Sequence, residues 1–132
     1  MSDLGAYLTL AMRTPWAWST HDCCTFIANW SIERGRSDPM AFIRGHYRTE
    51  RGALKAIKRG GGLLKLVSRG MASAGVPRVD DGPEPGDVAV IEIKTEDRLN
   101  EACAIWTGHR WAALGVRGIT CGPAHALAVW RP

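Results

Sequence analysis

Pro15-Trp16-Ala17-Trp18-Ser19-Thr20-His21-Asp22-Cys23-Cys24-Thr25-Phe26 is a helix breaker, an aromatic pair and a polar cap, followed by cysteine on the first turn of a helix. Thr20 or Asp22 supplies the cap, and Cys23, Phe26, Ile27 and Trp30 recur along one face until Gly35 ends the run. A thiol at this place meets unsatisfied backbone N–H groups and the positive end of the helix dipole, which favour thiolate. Cys23 is therefore the candidate nucleophile. Cys24 follows at about 100° around the helix, so the two thiols are expected in different environments.

Outward from this stretch the first 75 residues read as helical. Ser2 can cap a helix carrying Leu4, Tyr7, Leu8 and Ala11 at helical spacing, stopped by Thr14-Pro15. Asp38-Pro39 opens a short helical stretch through Met40, Phe42 and Ile43. Thr49 caps another, with Ala53, Leu54 and Ile57 inward and Arg51, Lys55 and Lys58 outward, closed by Gly60-Gly61-Gly62. That triple glycine lacks the Lys-Ser/Thr of a phosphate loop and reads as a turn. A further helix runs from Leu63 to about Ala74.

Beyond Val76-Pro77 the composition changes. Gly82-Pro83-Glu84-Pro85-Gly86 is a connection, and Asp87 to Ile93 reads as a largely buried strand. Brief strands follow at Ala102 to Trp106, Trp111 to Leu114, near Ile119, and Ala126 to Trp130, while polar Lys94 to Glu101 suggests an exposed hairpin loop. Helices first and strands second predict one α+β domain, a helical half (1–75) packed on a small C-terminal antiparallel sheet (86–132).

The chain's 132 residues suit one domain, no apolar run approaches a bilayer span, and Met1-Ser2-Asp3-Leu4 has no basic leader, so neither signal nor anchor is expected. The net charge of +4 concentrates between Arg44 and Lys65, where Tyr47 is the lone candidate stacking ring. A solvated basic face fits better than a nucleic-acid site. Cys23, Cys24, Cys103 and Cys121 show no metal-ligand spacing and read as reduced thiols, with no cofactor or metal implied.

Asp22-Cys23 after Trp16-Ala17-Trp18, with Pro85-Gly86-Asp87-Val88 downstream, resembles the NlpC-like cell-wall cysteine peptidases of the papain-like superfamily. More specific is an ordered set: Trp18, His21-Asp22-Cys23-Cys24, Asp38-Pro39, Arg44-Gly45-His46-Tyr47, Gly86-Asp87 and Trp130-Arg131. It is similar to that of phage and gene-transfer-agent minor tail proteins. The resemblance implies a papain-like fold, a virion location in the tail tip after synthesis in a host cytoplasm, other tail-tip proteins as partners, and peptidoglycan as a substrate where the peptidase works. Trp18, Asp22, Arg44 and Tyr47 are its candidate binding residues.

In the active peptidases a histidine at the start of the second strand deprotonates the cysteine. The resemblance puts Ala102 there and Ala112 near the third polar position, and neither can serve. His21, two residues from Cys23, and His125, before the last strand, are the replacement bases to test; His46 and His109 fall in loops. The expectation is a peptidase-like domain without its catalytic histidine, used for assembly, against the alternative of an active cysteine peptidase or amidase with Cys23 attacking an amide. The six tryptophans divide between core packing and exposed anchors in a way the sequence leaves open.

Overall fold

The computed structural model describes residues 3–94 and 99–132. Helices α1 (Leu4–Arg13), α2 (Cys23–Glu33), α3 (Glu50–Arg59) and α4 (Leu63–Ser73) come first. Strands β1 (Arg78–Val79), β2 (Val88–Lys94), β3 (Leu99–Trp106), β4 (Trp111–Gly115), β5 (Gly118–Gly122) and β6 (His125–Trp130) follow. They form one antiparallel sheet in the order β1-β6-β2-β3-β4-β5. The molecule is thus a small α+β domain.

Alternation along the strands makes two layers of apolar side chains. Val88, Val90, Cys103, Ile105 and Trp130 join the core beneath α2 and α4, whereas Ala89, Ile91, Ala104 and Trp111 gather on the opposite face. The β2–β6 register slips between Val90 and Ile91, leaving Leu127 as the extra residue. This bulge lets Leu127 and Ala128 both reach the helix-side core, with Ala126 and Val129 on the other side. α2 is covered nearly all round, with Phe26, Ile27, Ala28 and Ser31 fully buried. It is the central helix, held against β3 and β4.

Several boundaries differ from expectation. Asp3 caps α1, its carboxylate accepting from Gly5 N; Ser2 lies outside the described residues. The segment from Asp38 to Arg44 makes turns in place of a helix. Its Asp38 carboxylate accepts from Met40 N and from Arg44, and Gly45 at φ 85° ends it before a second turn can form. Leu54 points to solvent, and α3 packs through Ala53, Ala56 and Ile57. β1, two residues inside the breaker-rich connection, escaped the periodicity argument because a strand that short has no period. Of the expected 94–101 loop, Lys94 and Leu99 to Glu101 are strand, and 95–98 lie outside the described residues.

Candidate functional site

Asp22 is the hub of the α2 N-terminus. It is 1% exposed, and its carboxylate accepts from Ser19 N (2.7 Å), Thr25 N (3.0 Å), Thr25 Oγ1 (3.0 Å) and the Tyr47 hydroxyl. Thr25 Oγ1 in turn accepts from Asp22 N at 2.7 Å, closing a capping box. Ser19 reaches this arrangement with φ 71°, a left-handed conformation unusual for a residue with a side chain, and its hydroxyl donates to Tyr47 O. The cap residue named as one of two alternatives is thus Asp22, with Ser19 and Tyr47 completing its shell.

Arg44 locks the outer layer of the same network. Its Nε and Nη2 donate to the two carboxylate oxygens of Asp38 at 2.8 and 3.1 Å, Nη2 also reaches Asn29 Oδ1 at 3.0 Å, and Nη1 reaches Ser19 O at 3.4 Å. Burial opposes ionisation of Asp38, but the Arg44 fork and the Met40 N–H outweigh it and hold this carboxyl below its usual range. Trp18 stands edge-on to Trp16 and Tyr47, with ring centroids 5.0 and 6.4 Å away. Trp18, Asp22, Arg44 and Tyr47 therefore belong to one interlocked cluster.

Cys23 occupies the first turn of α2, half-buried, with its Sγ 4.0 Å from Cys24 Sγ. Cys24 Sγ is 3.7 Å from Cys103 Sγ, so three thiols form a row from the helix into the sheet. The two adjacent thiols share an environment after all. The Cys24 contact, then burial, then the charge of Asp22 push the Cys23 thiol far above its ordinary range. The cap explains why the helix terminus does not produce the thiolate anticipated for it: Asp22 already accepts the Thr25 N–H and puts a negative charge beside the sulfur. Cys24 is raised chiefly by Cys103; Cys103 is pulled down by Cys24 but raised overall by burial and neighbouring negative charge.

Above Cys23 lies a cleft of about 20 Å³ walled by Trp18, Tyr47, Ile43 and the α3 residues Ala53, Ala56 and Ile57. That is room for roughly one water. None of the four histidines lines it. His21 is buried and its Nε2 donates to Ala11 O at 3.0 Å, tying the loop to α1. His125, exposed at the start of β6 opposite Glu92, shares with His109, Trp106 and Trp111 a groove on the sheet face away from α2. His46 is exposed in a different groove, beside Phe42 and Lys55.

Ala102 also faces away from α2, packing with Ile91 and Ala104. One residue on, alternation turns Cys103 toward the helix, so the position opposite the candidate nucleophile holds a third thiol. The inward parity of Cys103, next to Ile105 in an alternating strand, was the available signal for it. Ala112 is buried opposite Ile105. Among the described residues no group of His, Cys, Asp and Glu side chains converges as metal ligands.

The remaining members of the ordered motif form a second cluster. Asp87, 1% exposed, accepts from Arg131 Nε (2.9 Å), Arg131 Nη2 (2.8 Å) and Glu84 N (2.8 Å). Gly86 O accepts from Trp30 Nε1 at 2.8 Å, joining this turn to α2. With both clusters traced through the full length of the fold, one family model spans the same residues, 1–132. The chain belongs to the DUF6950 family. That family is defined as a domain of unknown function. No curated protein matches the chain, and no solved structure does. In this DUF6950 domain the motif residues Asp22, Asp38, Arg44, Tyr47, Gly86, Asp87 and Arg131 are engaged in hydrogen bonds that build the α2 N-terminus and hold the last strand's end. Chemistry must come from what they leave free, which at Cys23 is a partly covered thiol pushed above its ordinary range.

Proposed function

We propose that the domain is a minor tail or tail-tip component of a phage or phage-like particle, a peptidase-like body used for assembly with other tail-tip proteins. The tail assignment rests on the resemblance of the ordered motif, and the NlpC-like, papain-like ancestry on that of Asp22-Cys23 after Trp16-Ala17-Trp18 with Pro85-Gly86-Asp87-Val88 downstream. The non-catalytic role is carried by one observation: no imidazole lines the cleft over Cys23, whose thiol is held protonated by Cys24, burial and Asp22. A cysteine nucleophile needs a base to make the thiolate and an acid to release the amine, and the carboxylate and hydroxyl on this cleft's wall, Asp22 and Tyr47, are bonded to each other.

The second reading, an active cysteine peptidase or amidase acting on peptidoglycan, is favoured by the placement of Cys23 on the first turn of a capped helix. Cys23→Ala separates the two. Purified wild-type and variant proteins are assayed for release of peptide fragments from purified cell walls, and variant-bearing particles for assembly and infectivity. The assembly reading expects no fragment release by either protein and normal particles with the variant. Wall cleavage by the wild type that disappears in Cys23→Ala, with Cys24→Ala still active, overturns it.

A further inference from the structure

The notch between α3 and α4 collects positive charge that no carboxylate among the described residues pairs with. Lys55 and Arg59, one turn apart on α3, and Arg69 of α4 line a groove of about 370 Å³ with His46 at its rim. Phe42, Ile43, Ala56 and Leu66 contribute its apolar surface. Among the described residues neither Lys55, Arg59 nor Arg69 has a carboxylate partner; the ion pairs belong to Arg44 and Arg131. Glu50 is the single acidic residue between Met40 and Val79. Like charges spaced by four on a helix destabilise it unless an anion sits between them. Arg69 is also held in place, its guanidinium 4.5 Å over the Phe42 ring.

We propose that this groove is a docking site for an acidic segment of another protein, one that sets aliphatic side chains on the apolar floor and carboxylates against Lys55, Arg59 and Arg69. This interface does not depend on Cys23 or on the particle assignment. The volume suits a few side chains. Single-stranded nucleic acid fits less well, because its bases need a free ring to stack on: Phe42 is covered by Arg69, and Tyr47 is buried. A second copy of the chain fits less well too, since each carries a net charge of +4 and the two repel.

The test is fluorescence anisotropy with the full chain and fluorescein-labelled Glu-Leu-Glu-Glu-Leu-Glu at about 50 mM salt, where charge screening is weak. Its Gln-for-Glu counterpart and a short oligothymidylate are measured alongside. Saturable binding of the acidic peptide is expected, at least tenfold tighter than the Gln peptide and the oligonucleotide, and weakening with added salt. Lys55→Glu with Arg59→Glu should weaken it at least tenfold, and the milder Lys55→Gln with Arg59→Gln severalfold. Lys58→Glu, on α3 but outside the groove, should change it far less. The proposal is overturned by an oligonucleotide that binds as tightly as the peptide, by binding indifferent to the groove substitutions, or by no binding at all. Self-association in sedimentation that the same charge reversal abolishes would instead give the groove to a second copy.

Discussion

Asp22 shows how one carboxylate can decide a local structure. Asp22→Ala removes an N-cap, worth about 1 kcal/mol, and leaves the Ser19 N–H and the Tyr47 hydroxyl without their buried acceptor, at about 1 kcal/mol or more each. Urea unfolding should therefore report a loss of about 3 kcal/mol, and Tyr47→Phe about 1 kcal/mol; a loss under ~1 kcal/mol for Asp22→Ala would mean that this network is not a stabilising element. The thiols supply a prediction of opposite chemistry. Cys24 and Cys103 have folded-state pKa values raised above those of the unfolded chain, so the stability they contribute is complete below about pH 8.5. Above that pH the unfolded thiols ionise and the folded ones do not, so stability falls, by up to about 1.4 kcal/mol per pH unit for each group. Unfolding under reducing conditions from neutral to alkaline pH should show this decline, and Cys24→Ser with Cys103→Ser should make it shallower, with burial of Cys23 accounting for part of what remains.

At the scale of elements, what could be read from sequence was whatever had a period or a cap. α2 and α3 announced themselves by spacing, by Asp22 or Thr49 at the start and by glycine at the end, α4 by spacing, and β2 by its apolar run. Asp38-Pro39 carried a true initiation signal, and the Asp38 carboxylate does accept from Met40 N, but Gly45 at φ 85° stops the run before a helix is established. The candidate site was legible as a list, Trp18, Asp22, Cys23, Arg44 and Tyr47, and not as a geometry. Spacing along the chain says nothing about which atom each side chain spends its hydrogen bonds on. Nor did it reveal that α3 lies over Cys23, because an amphipathic helix advertises that it packs but not against what. Ile57 is the aliphatic residue by which α3 walls the cleft, so Ile57→Asp should lift that helix from the thiol. Iodoacetamide labelling read by mass spectrometry should then find Cys23 modified severalfold faster than in the wild type, where exposed Cys121 reacts first. Equal Cys23 rates in the two proteins would mean that α3 does not guard it.

Across the whole molecule, the helical and sheet halves meet at Gly86. Its carbonyl accepts from Trp30 of α2, its N–H donates to Trp106 O at 2.8 Å, and Asp87 beside it holds Arg131 and thereby the chain's C-terminal end. Gly86 has φ 93°, and a Cβ there would stand 3.3 Å from the Trp30 ring. Alanine thus meets two penalties at once, left-handed backbone strain of about 1–2 kcal/mol and a close contact that pushes the indole off its acceptor. Since Trp30 is rooted in the core and the central strand β2 begins at Val88, the strain cannot be relieved in one half alone. Gly86→Ala should accordingly lower stability by about 2 kcal/mol or more, with far-UV circular dichroism and tryptophan fluorescence shifting together to one earlier transition. If the two probes separate, with fluorescence lost first and helix retained, the halves are independently stable and Gly86 is a local turn rather than the joint between them.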